Sequence, residues 1–144
     1  MTAILLKNVS LATAAQGSVV GANVRYTDET EPAFDKIYRD ITGFTTTYGA
    51  GDQLTYGVTL QDISPGAKGP VAMPGSLVSK VLCNSAVVRG DYLFPSTTVA
   101  FYADVRAQAN GVPPNCFGIA TATDASSPFT PSALLLPLRA GIPL

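Results

Sequence analysis

The chain has 144 residues, 47% of them apolar and only 13% charged, with a formal net charge of -1 and no histidine. That length suits one domain with a real core. Ordinary soluble domains carry about 25% charged residues, so neutral Thr, Ser, Gly and Ala take the place of charge here, as a large protein–protein contact would explain. Nine Lys and Arg are scattered among ten acids, which argues against the basic face that a nucleic-acid partner requires.

At the start of the chain, Ala12-Thr13-Ala14 has the form of a signal-peptide cleavage site. The run upstream, Ala3 to Leu6, is cut short by Lys7 and Asn8, below the 7–15 apolar residues of a signal core. No run approaches the roughly 20 residues that span a bilayer. A cytoplasmic origin is expected, with no membrane partner. Residues 1–17 read as an extended N-terminal arm, 18–138 as a β-rich body and 139–144 as an apolar tail. Ile4, Leu5, Leu6 and Val9 at one end, and Ile142 and Leu144 at the other, are the candidate contact residues toward a neighbouring chain. The alternative is that both ends pack back on their own domain.

Ser18 to Tyr26 is rich in Val and predicts a first strand. Phe34, Ile37, Tyr38 and Ile41 then sit at i, i+3, i+4 and i+7, which is helical spacing. With Thr30 as cap, Pro32 in the first turn and Gly43 as terminator, one short helix near 31–42 is expected. A strand reading stays open because Thr42 to Thr47 is β-prone. Gly49-Ala50-Gly51-Asp52 reads as a hairpin connection. It lacks the third glycine of a dinucleotide fingerprint and the Lys-Ser/Thr of a P-loop.

Leu54 to Leu60 alternates large apolar residues with Thr and Gly, the pattern of a half-buried strand. Asp62-Ile63-Ser64-Pro65-Gly66 follows as a turn. Leu77 to Cys83, Cys116 to Thr123 and Ala133 to Leu138 read as further strands. Pro137 places the last of them at an edge or bulge. Ala100 to Ala109 fits helix or strand equally. Eleven Pro and thirteen Gly punctuate these runs. The fold class is therefore mainly β, a small barrel or sandwich of short antiparallel strands. No internal repeat is visible.

Chemistry is sparse. Without histidine, Ser-His-Asp and Cys-His arrangements are impossible. The acids gather at Asp28, Glu29, Glu31, Asp35 and Asp40, where they suit a helix N-terminus better than a catalytic pair. Cys83 and Cys116 lie in no C-x-x-C pattern, and no calcium loop appears. The two cysteines read as buried apolar residues, with their bonding left open by the sequence. No catalytic residue, metal, cofactor or small-molecule substrate is expected. Asn8-Val9-Ser10 matches a glycosylation acceptor, which matters only in a secreted chain. Arg89-Gly90-Asp91 matches a receptor-docking tripeptide. Its apolar flanks, Ala86-Val87-Val88 and Tyr92-Leu93-Phe94, also suit a turn in which Gly90 supplies the free φ.

From Gly69 to Leu138, about half of the chain, the order of features resembles the decoration, or cement, proteins of tailed-phage capsids. The residues that carry the resemblance are Ala86-Val87-Val88-Arg89-Gly90-Asp91-Tyr92-Leu93, the strand Gly118-Ile119-Ala120 and the closing Leu134-Leu135-Leu136-Pro137-Leu138. The resemblance implies a β-rich homotrimer on the outside of the virion capsid that clamps adjacent major capsid protein subunits, with no enzymatic activity. A tail or baseplate β-module and an adhesive module built on Arg89 to Asp91 are the alternatives.

Overall fold

The computed structural model describes residues 3–22, 33–36, 55–96, 98–113 and 115–136. Ten short strands account for nearly all of its regular structure, so the protein is mainly β. They are β1 (Ala3–Asn8), β2 (Val19–Ala22), β3 (Ala33–Lys36), β4 (Thr55–Thr59), β5 (Lys68–Ala72), β6 (Leu77–Val78), β7 (Tyr92–Pro95), β8 (Ala103–Arg106), β9 (Gly118–Ala120) and β10 (Ala133–Leu135). A 3-10 turn at Gln108–Asn110 follows β8, so the ambiguous Ala100 to Ala109 stretch holds a strand and one helical turn.

The first five strands close on themselves in the order β1-β3-β2-β4-β5 and back to β1. Every pairing is antiparallel except β1 with β3. The last five run β6-β10-β9-β7-β8, and a parallel bridge from Cys83 to Ala103 ties the chain just after β6 to β8. The two sets have the same strand order. β6, β7, β8, β9 and β10 stand where β1, β2, β3, β4 and β5 stand, parallel contact included. The chain therefore contains two copies of one five-stranded design, contrary to the expectation of no internal repeat.

The correspondence shows in the strand register. Val19 faces Val58 and Val20 faces Gly57 in the barrel; Tyr92 faces Ile119 and Leu93 faces Gly118 in the second sheet. The two matched glycines are needed for the same reason. A Cβ at Gly57 would land on the carbonyl oxygen of Ala72, and one at Gly118 would lie 3.1 Å from that of Leu134. At Gly57 only glycine allows this approach, and at Gly118 a side chain would require the neighbouring strand to give by a few tenths of an ångström.

Two apolar clusters fill the interior. Leu6, Ala14, Val20, Ile63 and Val71 line the barrel, and Phe101 reaches them from the second sheet's half of the chain. Val78, Val81, Cys83, Val87, Leu93, Ala103, Phe117, Ala120, Ala133 and Leu135 form the larger cluster, joined by Val19, Val58 and Ala72 from the first barrel. Neighbours in sequence thus diverge: Val20 and Val71 point into the first barrel, while Val19 and Ala72 point out of it to the second. Backbone bonds reinforce the junction. Val19 N–H donates to Phe101 O at 2.9 Å, and Leu82 N–H to Gly17 O at 2.9 Å.

Three expectations need correction. Ala33–Lys36, inside the expected helix, is a strand paired on both sides, with Ala33 opposite Lys7 and Lys36 opposite Val20. A lone helix of about three turns is marginal, and two flanking strands offer those four residues a ladder on each side. The rest of the 31–42 segment and the hairpin at 49–52 lie outside the described residues. The expected arm is also part of the fold: β1 pairs along its length with β5 from Ala3–Ala72 to Lys7–Lys68. Finally, of the edge or bulge expected for the last strand, the edge is overturned, because β10 sits between β6 and β9. It ends at Leu135, ahead of Pro137, which lies outside the described residues.

Overpacking at a close backbone approach costs about 1–3 kcal/mol. Gly57→Ala should therefore destabilise by about 3 kcal/mol and Gly118→Ala by about 1 kcal/mol, read from urea unfolding midpoints. Equal, negligible effects would show that the strands do not approach this closely.

Candidate interaction surface

One local unit recurs three times: a bridging residue, a turn with glycine third, and a strand. Ser18 N–H donates to Ala15 O at 3.0 Å, Ala67 N–H to Ser64 O at 3.0 Å, and Asp91 N–H to Val88 O at 2.9 Å. The glycines at the third position, Gly17, Gly66 and Gly90, have φ of 90°, 80° and 95°. This is the left-handed region that glycine enters without steric cost. Arg89-Gly90-Asp91 is thus one case of a turn that the fold builds elsewhere from Ala15-Gln16-Gly17-Ser18 and Ser64-Pro65-Gly66-Ala67. Arg89 is exposed, while three other polar groups of the turn bond within the chain. The Asp91 carboxylate accepts from Val88 N–H at 2.9 Å, Arg89 N–H donates to Thr123 Oγ1 at 3.0 Å, and Gly90 N–H donates to Ala120 O at 2.8 Å.

Other carboxylates do similar work. Asp62 accepts from Gln16 N–H at 2.7 Å, and Asp124 accepts from Ser126 N–H at 3.2 Å and Thr130 N–H at 2.9 Å. These acids hold loop backbone in place rather than face one another across a cleft. Among the described residues no group of three His, Cys, Asp or Glu is placed to hold a metal ion.

Asn8, the glycosylation match, is fully buried. Its amide donates to Ile63 O at 2.8 Å and Ala12 O at 2.9 Å, and its Oδ1 accepts from Ser10 N–H at 2.9 Å and Ser10 Oγ at 2.7 Å. A fully satisfied buried amide fixes the chain between β1 and the Ala14 bridge and leaves no nitrogen accessible for a sugar. The tripeptide match marks a structural plug.

Cys83 and Cys116 are buried free thiols. Burial, then the charges of Asp124 and Asp104, push the Cys83 thiol up from 9.0 to about 12. Burial likewise raises Cys116. Both stay protonated and inert near neutral pH.

The candidate contact residues separate. Leu6 is fully buried in the first barrel and is not available to a partner; it forms core instead. Ile4 (38% exposed) and Leu5 (63%) remain open on the same strand. Val9 is half-buried, and Leu11 beside it is almost wholly exposed at 97%. Ile142 and Leu144 lie outside the described residues.

A second apolar surface has no counterpart among the sequence candidates. Tyr92, Ile119, Leu134 and Leu77 are direct cross-strand partners in β7, β9, β10 and β6. The first three are half-buried, and Leu77 is 62% exposed. In sequence these residues read as ordinary strand alternation; only the pairing register lines them up on one outer face. Compared with known families and curated proteins, the chain matches no family model and no curated protein.

The raised Cys83 thiol sets a pH dependence. An unfolded thiol ionises near 9.0, whereas the folded one holds its proton to about 12. Between those values the folded state binds more protons, so stability falls as pH rises, by up to about 1.4 kcal/mol per pH unit. Urea midpoints compared at about pH 8 and about pH 10.5 should fall more in the wild type than in Cys83→Ala. Equal slopes would contradict the burial of this thiol.

Proposed function

We propose that this chain is a structural protein of a phage virion that sits on the outside of the capsid and bridges adjacent major capsid protein subunits. The observation that carries the reading is where the exposed apolar residues fall. Ile4, Leu5 and Leu11 are exposed on or near β1, and exposed Leu77 continues a half-buried row of Leu134, Ile119 and Tyr92 across the second sheet. A chain with 13% charged residues that also shows such rows needs neighbours to cover them. The resemblance between Gly69 and Leu138 and the decoration proteins points to a capsid shell as the surface concerned. The trimeric state and assembly in a host cytoplasm belong to the same reading.

The polar chemistry supports contact over turnover. Asp62, Asp91 and Asp124 are occupied with loop backbone, and the chain has no histidine to serve as a general base. Adhesion through the Arg89-Gly90-Asp91 turn is the weaker alternative, because an Asp91 oxygen already accepts from Val88 N–H. Repeated modest contacts around a shell would add by avidity.

Co-sedimentation with expanded shells of the phage that encodes the chain tests this. The wild type should pellet with shells. The double variant Ile4→Glu, Leu5→Glu should bind at least about tenfold more weakly, and Asp91→Glu should bind like the wild type. No binding by the wild type would overturn the proposal. Cell attachment that is abolished by Asp91→Glu would favour the adhesive reading.

A further inference from the structure

The loop between β8 and β9 carries a reactive pair that neither the fold nor the proposed contact uses. Ala107 to Val112 are six consecutive exposed residues. Their regular structure is the single 3-10 turn Gln108–Asn110, which buries none of its residues. Asn110 closes that turn, and Gly111 follows it. The amide carbon of an asparagine side chain lies within reach of the next residue's backbone nitrogen, and a following glycine has no Cβ to crowd the approach.

The described asparagines differ in how far the fold shields them from this reaction. Asn8 is fully buried, and its amide nitrogen donates to Ile63 O and Ala12 O. Asn115 is half-buried, and the next residue, Cys116, is buried with its N–H on Pro113 O at 3.3 Å. Asn84 is exposed, but its Nδ2 donates to Asp104 Oδ1 at 3.5 Å, and Ser85 follows it with a side chain. Asn110 is exposed, and among the described residues none holds its side-chain amide by a hydrogen bond. A Cβ on Gly111 would meet nothing within 4 Å, so no neighbour has to move as the two groups close. The restraint that remains is the turn itself. Asn110 N–H donates to Ala107 O at 3.0 Å, and Gly111 N–H to Gln108 O at 3.1 Å. A single exposed 3-10 turn has poor hydrogen-bond geometry and opens at little cost, which frees the Gly111 nitrogen.

We infer that Asn110-Gly111 is a site of spontaneous, backbone-assisted deamidation. The Gly111 nitrogen gives its proton to solvent and attacks Asn110 Cγ. The new C–N bond closes a succinimide ring, and the Cγ–Nδ2 bond breaks, Nδ2 leaving with a solvent proton as ammonia. Water then adds to either ring carbonyl and opens the ring. One opening gives aspartate; the other gives isoaspartate, with one extra methylene in the main chain. In sum, one amide and one water become one carboxylic acid, ionised at neutral pH, and one ammonia. The product adds a negative charge to a chain of formal net charge -1. That charge falls on the turn whose Gln108 side chain lies 3.5 Å from where a Cβ on Gly90 would stand. Aged protein is thereby marked by a new carboxylate on the segment that packs against the Arg89-Gly90-Asp91 turn.

Full-length wild-type protein held warm for days in mildly alkaline buffer tests it, with its peptides sequenced by mass spectrometry at intervals. Asn110 should gain one mass unit, as mixed aspartate and isoaspartate, before Asn8, Asn84 or Asn115 does, while the circular dichroism spectrum stays that of the folded chain. In urea, where burial and the turn are both lost, Asn110 should react at most about tenfold faster, whereas Asn8 should accelerate far more. Gly111→Ala should slow the gain at Asn110 by at least about tenfold. Repeating that comparison in urea removes any effect of the substitution on the turn. An Asn110 that gains mass in urea but not in the folded chain would overturn the inference, since the fold would then protect it. So would an earlier gain at Asn84, or an undiminished rate in Gly111→Ala.

Discussion

Two reciprocal backbone bridges hold this protein in shape. Ala14 and Ile63 exchange both N–H···O bonds at 3.0 and 2.8 Å, and Val87 and Asp124 exchange theirs at 2.9 Å each. Each bridge is followed at the same distance along the chain by a glycine turn, and each turn glycine reaches across its barrel: Gly17 N–H to Thr59 O, Gly90 N–H to Ala120 O. The bridge sets where the turn sits, the turn sets the register of the following strand, and that register decides which side chains face in. Ile63 fills the first barrel from its bridge position, whereas Asp124 uses its carboxylate there to hold a longer loop through Ser126 and Thr130. The backbone scheme is kept while the side chains diverge.

That divergence gives the barrel and the second sheet different surroundings. The outer row of the barrel is spent inside the molecule. Phe101, with φ of 71°, inserts from the second half into the core of the barrel, so neither half has a core wholly its own. The second sheet keeps its outer row open. A row of Tyr, Ile and Leu across adjacent strands is a flat apolar strip of the kind that protein contacts use. Among the described residues, Asn8 is buried and saturated, and Asp62, Asp91 and Asp124 are tied to loops.

Much of the strand content was legible from alternation. Leu54 to Leu60, Cys116 to Thr123 and Ala133 to Leu138 each contain a strand, because every second residue must face the interior. Gly66 and Gly90 were legible as turn residues for the same steric reason. The segment around Phe34 misled because helical spacing over a few residues carries less weight than ladders to two strands distant in sequence. In Ile4-Leu5-Leu6 three apolar residues in a row give no register, so nothing local marks Leu6 as the buried one. The repeat was hidden because it lives in hydrogen bonds and register: Val19 matches Tyr92, and Ile63 matches Asp124. The exposed row was hidden in turn, since its members become neighbours only through pairing.

The most direct test of the proposal that this chain covers and holds other chains is cryo-electron microscopy of the particle that carries it. The account predicts density for this chain on the outer capsid surface, with Ile119 and Leu134 of each copy buried against a protein neighbour. Copies found singly, with that row bathed in solvent and no protein neighbour against either barrel, would contradict it.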